Sequence, residues 1–297
     1  MKNILFISLI LLCCTCSLKA HEEPPKTKKE KADAKAKQEK MIRNGINQVT
    51  IWRHNIENGI VSDANEKYAE LYYNEKGLNT SILVYSNDSI SYKTINVFDL
   101  RCNKIFDFDF EYGNPSGNAV FQYNSSGLIE KIYNFDSLQK VVSEDTYTYK
   151  TSQNQIVFSS ISAPEKTDYT YTYSYDGNIE TGNCTEIEHR DSTGKLVMRV
   201  ENVFDKNNIR QEKKIFNSDN ELDYKFSYTY TSSGDFSVIT KTSSDGKIME
   251  TDTYSYDDKG NLISVVSKDG DGIVTDALSY EYSFDFATKK TETPNSK

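Results

Sequence analysis

Histidine occurs three times in 297 residues, tryptophan once and proline five times. A histidine-assisted nucleophile would have to use His54 or His189, and neither lies in a recognisable catalytic motif. Gly-x-Ser-x-Gly, His-Glu-x-x-His and the glycine-rich loops that cradle phosphate are all missing. Acidic side chains are abundant enough for some carboxylate pair to face another, which is all a glycosidase requires, but abundance does not select a pair. A carboxylate-dependent envelope hydrolase is therefore the weakest functional reading, and we expect no enzyme and no cofactor. Clustered Lys and Arg are also lacking beyond the N-terminal region, which excludes nucleic acid as a partner.

What the chain has instead is 21 Tyr and 14 Phe in a composition only 37% hydrophobic. That bias suits strands, and tyrosine can cover a core with its ring while its hydroxyl stays hydrated. Gly or Asn recurs at Gly194, Asn208, Asn220, Gly234, Gly246, Gly260 and Gly272, in steps alternating between 14 and 12 residues. The repeating unit is thus a 26-residue pair of strands, with Glu201 to Phe226, Ser227 to Asp252 and Thr253 to Leu278 as successive copies. Polar and apolar residues alternate within each copy, the period of a pleated strand. Tyr228, Tyr254 and Tyr280 form one ladder, Tyr230, Tyr256 and Tyr282 a second, and Leu196, Leu222, Ile248 and Val274 a third. The matched registers predict an all-β fold, an antiparallel hairpin-repeat array in an open, twisted or curled sheet.

Upstream, Gly77 and Asn103 keep the same spacing and Phe106-Asp107-Phe108-Asp109-Phe110 alternates cleanly. Longer loops are expected at Gly113 to Asn118 and at Asp176 to Asn183. The array is expected to begin near Asn47 to Asn55, within a repeat domain spanning 45–290, and residues 291–297 read as a disordered tail.

At the other end, Lys2 precedes the apolar run Ile4 to Leu12, an export signal within residues 1–20. It is cleaved either before Cys14 or Cys16, which would then carry lipid, or after Ala20. Residues 21–44 follow as a charged, solvated and in part helical tether, with eight Lys or Arg against five acids in His21 to Arg43. Removing the charge of both segments from the total of −9 leaves the rest near −14. The basic tether is a hydrophilic spacer, or else lies against anionic headgroups near the anchor.

Tyr254-Ser255-Tyr256-Asp257-Asp258-Lys259-Gly260-Asn261-Leu262 resembles the tyrosine-aspartate (YD) repeat of Rhs-like proteins, Tyr-x-Tyr-Asp-x-x-Gly followed by an apolar residue. Weaker copies lie at Tyr228 to Phe236 and Tyr173 to Asn178. The resemblance implies an extracytoplasmic bacterial β-hairpin array without a toxin-enclosing cocoon, since the chain is short.

Asp269-Gly270-Asp271-Gly272 looks like a calcium loop, but Ile273 and Tyr280 stand where ligands belong, and the segment falls on the turn register. No metal is expected. Cys102 and Cys184 lie about three copies apart, too far for a disulfide in a linear stack, so two unpaired thiols are predicted. The tyrosine ladders either fill the covered face of the sheet or offer a stacking surface to sugars and proteins. The leading functional expectation is a non-catalytic, lipid-anchored β-repeat protein binding a glycan or protein, in the periplasm or at the outer membrane or cell surface. The alternative is an envelope immunity or adaptor lipoprotein with one protein partner.

Overall fold

The computed structural model describes residues 28–162, 167–179 and 181–284. The export signal, Cys14, Cys16 and the tail 291–297 lie outside them. A helix, α1 (Lys28–Arg43), precedes eighteen strands. The first nine are β1 (Gln48–Glu57), β2 (Ile60–Tyr73), β3 (Asn79–Ser86), β4 (Ser89–Phe98), β5 (Lys104–Glu111), β6 (Asn114–Tyr123), β7 (Ile129–Asp136), β8 (Val141–Lys150) and β9 (Gln155–Ser162). The rest are β10 (Thr167–Tyr175), β11 (Cys184–Asp191), β12 (Leu196–Phe204), β13 (Arg210–Phe216), β14 (Leu222–Tyr230), β15 (Phe236–Ser243), β16 (Ile248–Tyr256), β17 (Leu262–Asp269) and β18 (Val274–Ser283).

Every strand pairs antiparallel with its sequence neighbours, and β18 pairs with β1 through Gln48↔Ser283 to Arg53↔Leu278. The fold is therefore a closed up-and-down barrel. This corrects the expectation of an open or curled sheet. Closure pairs the two edges that an open array would leave exposed.

The turns explain why the rhythm was visible. At Asp257 the side-chain Oδ1 accepts from the backbone N–H of Lys259 at 3.0 Å and of Asn261 at 2.7 Å, while Gly260 takes φ 75°. Asn74, Asp99, Asn124, Asp136, Asp191, Asp205, Asn217 and Asp269 accept in the same way. All seven expected turn residues have positive φ, with Asn208 and Asn220 replacing glycine as only Asn readily does. Two upstream expectations are corrected. The left-handed residue after Asp99 is Cys102, φ 67°, rather than Asn103. The loop expected at Gly113 to Asn118 is a tight Tyr112-Gly113 turn with both φ positive, after which β6 starts at Asn114. The calcium-like segment is a hairpin turn on Asp269, and Cys102 and Cys184 do not form a disulfide.

Following the register round the ring places one set of side chains inside. Three buried clusters lie on that face: one from β6 to β11, one where β1, β2 and β18 meet, and one from β14 to β17. The tyrosine ladders belong to it. Tyr228 and Tyr254 are buried, and the second ladder donates its hydroxyls to strand-opening carbonyls: Tyr230 to Arg210 at 2.5 Å, Tyr256 to Phe236 at 2.8 Å and Tyr282 to Leu262 at 2.7 Å. Tyr123 and Tyr149 repeat the bond to Lys104 and Ile129. Each hydroxyl spans a gap beyond the last ladder pair of its hairpin, as where β15 and β16 stop pairing at Val238↔Thr253.

The last turns of α1 seat in one mouth, here called proximal. Met41 and Ile46 join the cluster of β1, β2 and β18, Asn44 Nδ2 donates to Asn261 Oδ1 at 2.7 Å, and Lys40 Nζ lies 3.6 Å from Asp235. Gln38 donates to the Lys76 carbonyl. The end of the segment expected as a spacer is thus docked helix, touching turns on different sides of the mouth.

Candidate recognition wall

The residues expected as an aromatic ladder for binding, Tyr228, Tyr230, Tyr254, Tyr256, Tyr280 and Tyr282, point inward and pack within the clusters. They do not form an exposed platform, because period two fixes alternation but not which set faces the lumen. A partly exposed aromatic surface exists elsewhere. On β5, Asp107 points inward at 6% exposure, while Phe108 stands outward at 38%. The alternating run is inverted relative to hydrophobicity.

Its inward acids are satisfied. Asp107 Oδ2 takes Lys104 Nζ at 2.8 Å and its Oδ1 accepts from the Ala119 N–H at 2.9 Å. Asp109 accepts from the Tyr92 hydroxyl at 2.5 Å and from Thr94. Burial and the Asp109 carboxylate together raise the Tyr92 pKa, keeping that hydroxyl a donor.

The outward side extends across four strands. Val97, Phe106, Val120 and Tyr133 oppose one another in one row, and Ile95, Phe108, Asn118 and Phe135 in the next. Lys93 and Phe110 begin a third. Phe106 and Phe108 stack at 5.1 Å between centroids. Cations stand at the margin: Lys93 Nζ is 5.9 Å from the Phe110 ring and Lys131 Nζ 5.8 Å from Tyr133, with Lys131 paired to Glu144. Asn118 is held by Gln139 Nε2 at 2.9 Å. Beyond β4, on β2 and β3, the outward tyrosines are tied down, Tyr72 and Tyr85 donating to Glu70 at 2.9 and 2.6 Å.

The wall formed by β11 to β14 is the reverse. Its outward side chains form a ladder of alternating charge: Glu186 to Arg199 at 3.1 Å, Arg199 to Glu201 at 3.6 Å, Glu201 to Lys214 at 3.1 Å and Lys225 to Glu212 at 2.7 Å. A membrane-spanning barrel needs an outward apolar band about 25 Å tall, and a cation at its midplane costs about 2–4 kcal/mol. These strands have no such band.

Both histidines named from the sequence are accounted for. His54 joins Ser279 Oγ at 2.9 Å across the closing seam and the Ser62 carbonyl of β2 at 3.1 Å, on the convex outside. His189 stacks on Tyr171 at 4.4 Å on the inner wall. No group of three or more metal-ligating side chains occurs among the described residues.

No protein-family model and no curated protein matches the chain. Among solved structures it is similar to a porin-like protein from Bacteroides uniformis, with 16% identity, 81% of this chain and 97% of that one covered, and a TM-score of 0.42. A porin-like protein from Bacteroides vulgatus is 12% identical over 80% and 98%, TM-score 0.31. The TcdB2-TccC3-TEV structure is 13% identical over 76% of this chain and 14% of that one, TM-score 0.28. At these identities and scores the likenesses carry no functional argument.

Proposed function

We propose that this protein is an exported, non-catalytic YD-repeat-like barrel, lipid-anchored at Cys14 or Cys16, that binds a glycan or protein of the cell envelope through the outer wall of β4 to β7. One observation carries the reading: β5 turns Phe106, Phe108 and Phe110 outward, Phe108 exposed and the other two half-buried, and Asp107 and Asp109 to the interior. Leaving a phenyl ring exposed forgoes about 1.5–3 kcal/mol of burial, and each inward carboxylate requires dedicated partners. Aromatic rings held outward in this way are available for recognition. The anchor fits the geometry, because the segment after the signal leads into α1 at the proximal mouth. That helix carries seven Lys or Arg against three acids, a charge suited to anionic headgroups.

The test is co-sedimentation of the purified chain with isolated envelopes. Replacing Phe106, Phe108 and Tyr133 together by Ala is expected to lower bound protein at least about fivefold, whereas Phe216→Ala on the charged wall changes it little. Equal retention of both variants would remove the wall from recognition.

A further inference from the structure

We infer that the occupant of the β4 to β7 wall is an uncharged glycan chain laid across the strands and stacked on Phe106, Phe108, Tyr133 and Phe135. This rests on the recognition reading above and deepens it. The register is the first argument. Phe106 and Tyr133 are separated by Val120, and Phe108 and Phe135 by Asn118, so rings recur on alternate strands. Two strand spacings put the ring columns about 9.6 Å apart, the scale of a disaccharide. A polymer crossing the strands meets ring, low relief, ring along the first row, whereas in the second the position between the rings is Asn118, buried and hydrogen-bonded by Gln139.

Size is the second argument. Four strands and three rows make a patch of roughly 14 by 14 Å, or about 200 Å² of sheet. A stable protein interface needs about 800 Å² on each side. A second copy or a globular partner would have to spread onto polar and charged neighbours, whereas a narrow chain is covered by the patch itself.

Charge is the third. Lys131 is neutralised by Glu144, leaving Lys93 as the cation at the edge of the aromatic rows. That is too little for a polyanion and suits sugar rings whose C–H faces stack on aromatics while their hydroxyls reach the exposed Gln122 amide.

The experiment is affinity electrophoresis and calorimetry of the full chain against soluble mixed-linkage β-glucan, xylan, starch, chitin hexasaccharide and alginate. At least one neutral member is expected to bind, with little dependence on salt. Phe108→Ala and Tyr133→Ala should each weaken it about tenfold, and Phe216→Ala by less than about twofold. A thermal melt confirms that the variants fold. Binding to none of the panel, to alginate alone, or equally by Phe108→Ala and Tyr133→Ala overturns the inference. Protease-treated envelopes separate the two readings. If wall-dependent co-sedimentation disappears with protease, the partner is a protein and the glycan falls while the wall stands. If co-sedimentation never depended on the wall, both fall.

Discussion

Strands β5 and β16 share the same alternation and use it in opposite senses. In β16, Tyr254 faces the interior and Thr253 and Ser255 face water; in β5 the acids Asp107 and Asp109 go in and three phenylalanines go out. Hydrophobicity alone would orient both strands the same way. The sense of β5 is instead fixed by its neighbours, since Asn96, Asp107 and Ala119 share one inward row, and Ala119 packs in the cluster containing Phe121 and Ile132. Slipping β5 by one residue would bury its phenyls but strand Lys104 and the Ala119 N–H. The two walls thus separate residues that hold the barrel together from residues the barrel displays.

The largest effect that distinguishes them is truncation of a phenylalanine on each side. Phe158 is fully buried, with Tyr147 and Tyr171 at 4.9 and 5.9 Å. Phe158→Ala is expected to cost about 3–5 kcal/mol, read from the urea midpoint, and Phe108→Ala under about 0.5 kcal/mol. Comparable losses would mean that the β5 phenyls are structural after all.

Next comes the inward carboxylate. Asp107→Ala leaves Lys104 and the Ala119 N–H without their acceptor, and an expected loss of about 2–3 kcal/mol follows from the partial burial of that pair. A neutral outcome would show that the inverted register costs nothing to maintain.

Strand β16 has its own inward acid, and there pH supplies the test. Asp252 is pushed up to about 6, first by burial and then by Glu250 and Asp276, although Ser267 donates to it at 2.6 Å. Asp276 is itself paired with Arg53 at 3.0 Å. Because the folded value lies above the unfolded one, the folded protein binds the extra proton. Stability is therefore greater below the usual carboxylate range and declines as pH rises through 6. Asp252→Asn should raise stability by about 1–2 kcal/mol at pH 8, leave it unchanged near pH 4 and flatten the profile between. A gain that is the same at both pH values would contradict the titration.

The turns and strand period were legible because most of the turns are one local device: an Asp or Asn accepting from the backbone two and four residues on, with a left-handed residue, usually Gly or Asn, between. The failures share a cause. Cys102 and Gln139 occupy the left-handed position without the side chain that announces it. Closure depends on Trp52 meeting Ser279 and Arg53 meeting Leu278, partners more than 220 residues apart whose union no local pattern encodes. The aromatic wall was visible as an alternation in β5, but period two carries no sense of direction, and the inward acids that set it find partners on β4 and β6. The ladder Tyr230, Tyr256 and Tyr282 was seen correctly as a register. Its hydroxyl bonds to the preceding strand required the structure.

Removing one of those hydroxyls gives a smaller effect. Tyr282→Phe keeps the ring and deletes the donor to the Leu262 carbonyl, so a loss near 1 kcal/mol is expected, with slower hydrogen exchange lost first at the open ends of β17 and β18. The smallest effect belongs to the charged wall. Lys214 bridges Glu201 at 3.1 Å and Glu212 at 3.9 Å, but its side chain is 30% exposed and those of its partners 36% and 28%. Lys214→Ala should change stability by no more than about 0.5 kcal/mol, less in high salt, and leave envelope binding intact. A larger loss that salt does not screen would mean that the outer charges of β11 to β14 fix strand pairing, making that wall structural on both of its faces and leaving β4 to β7 as the side free to carry a ligand.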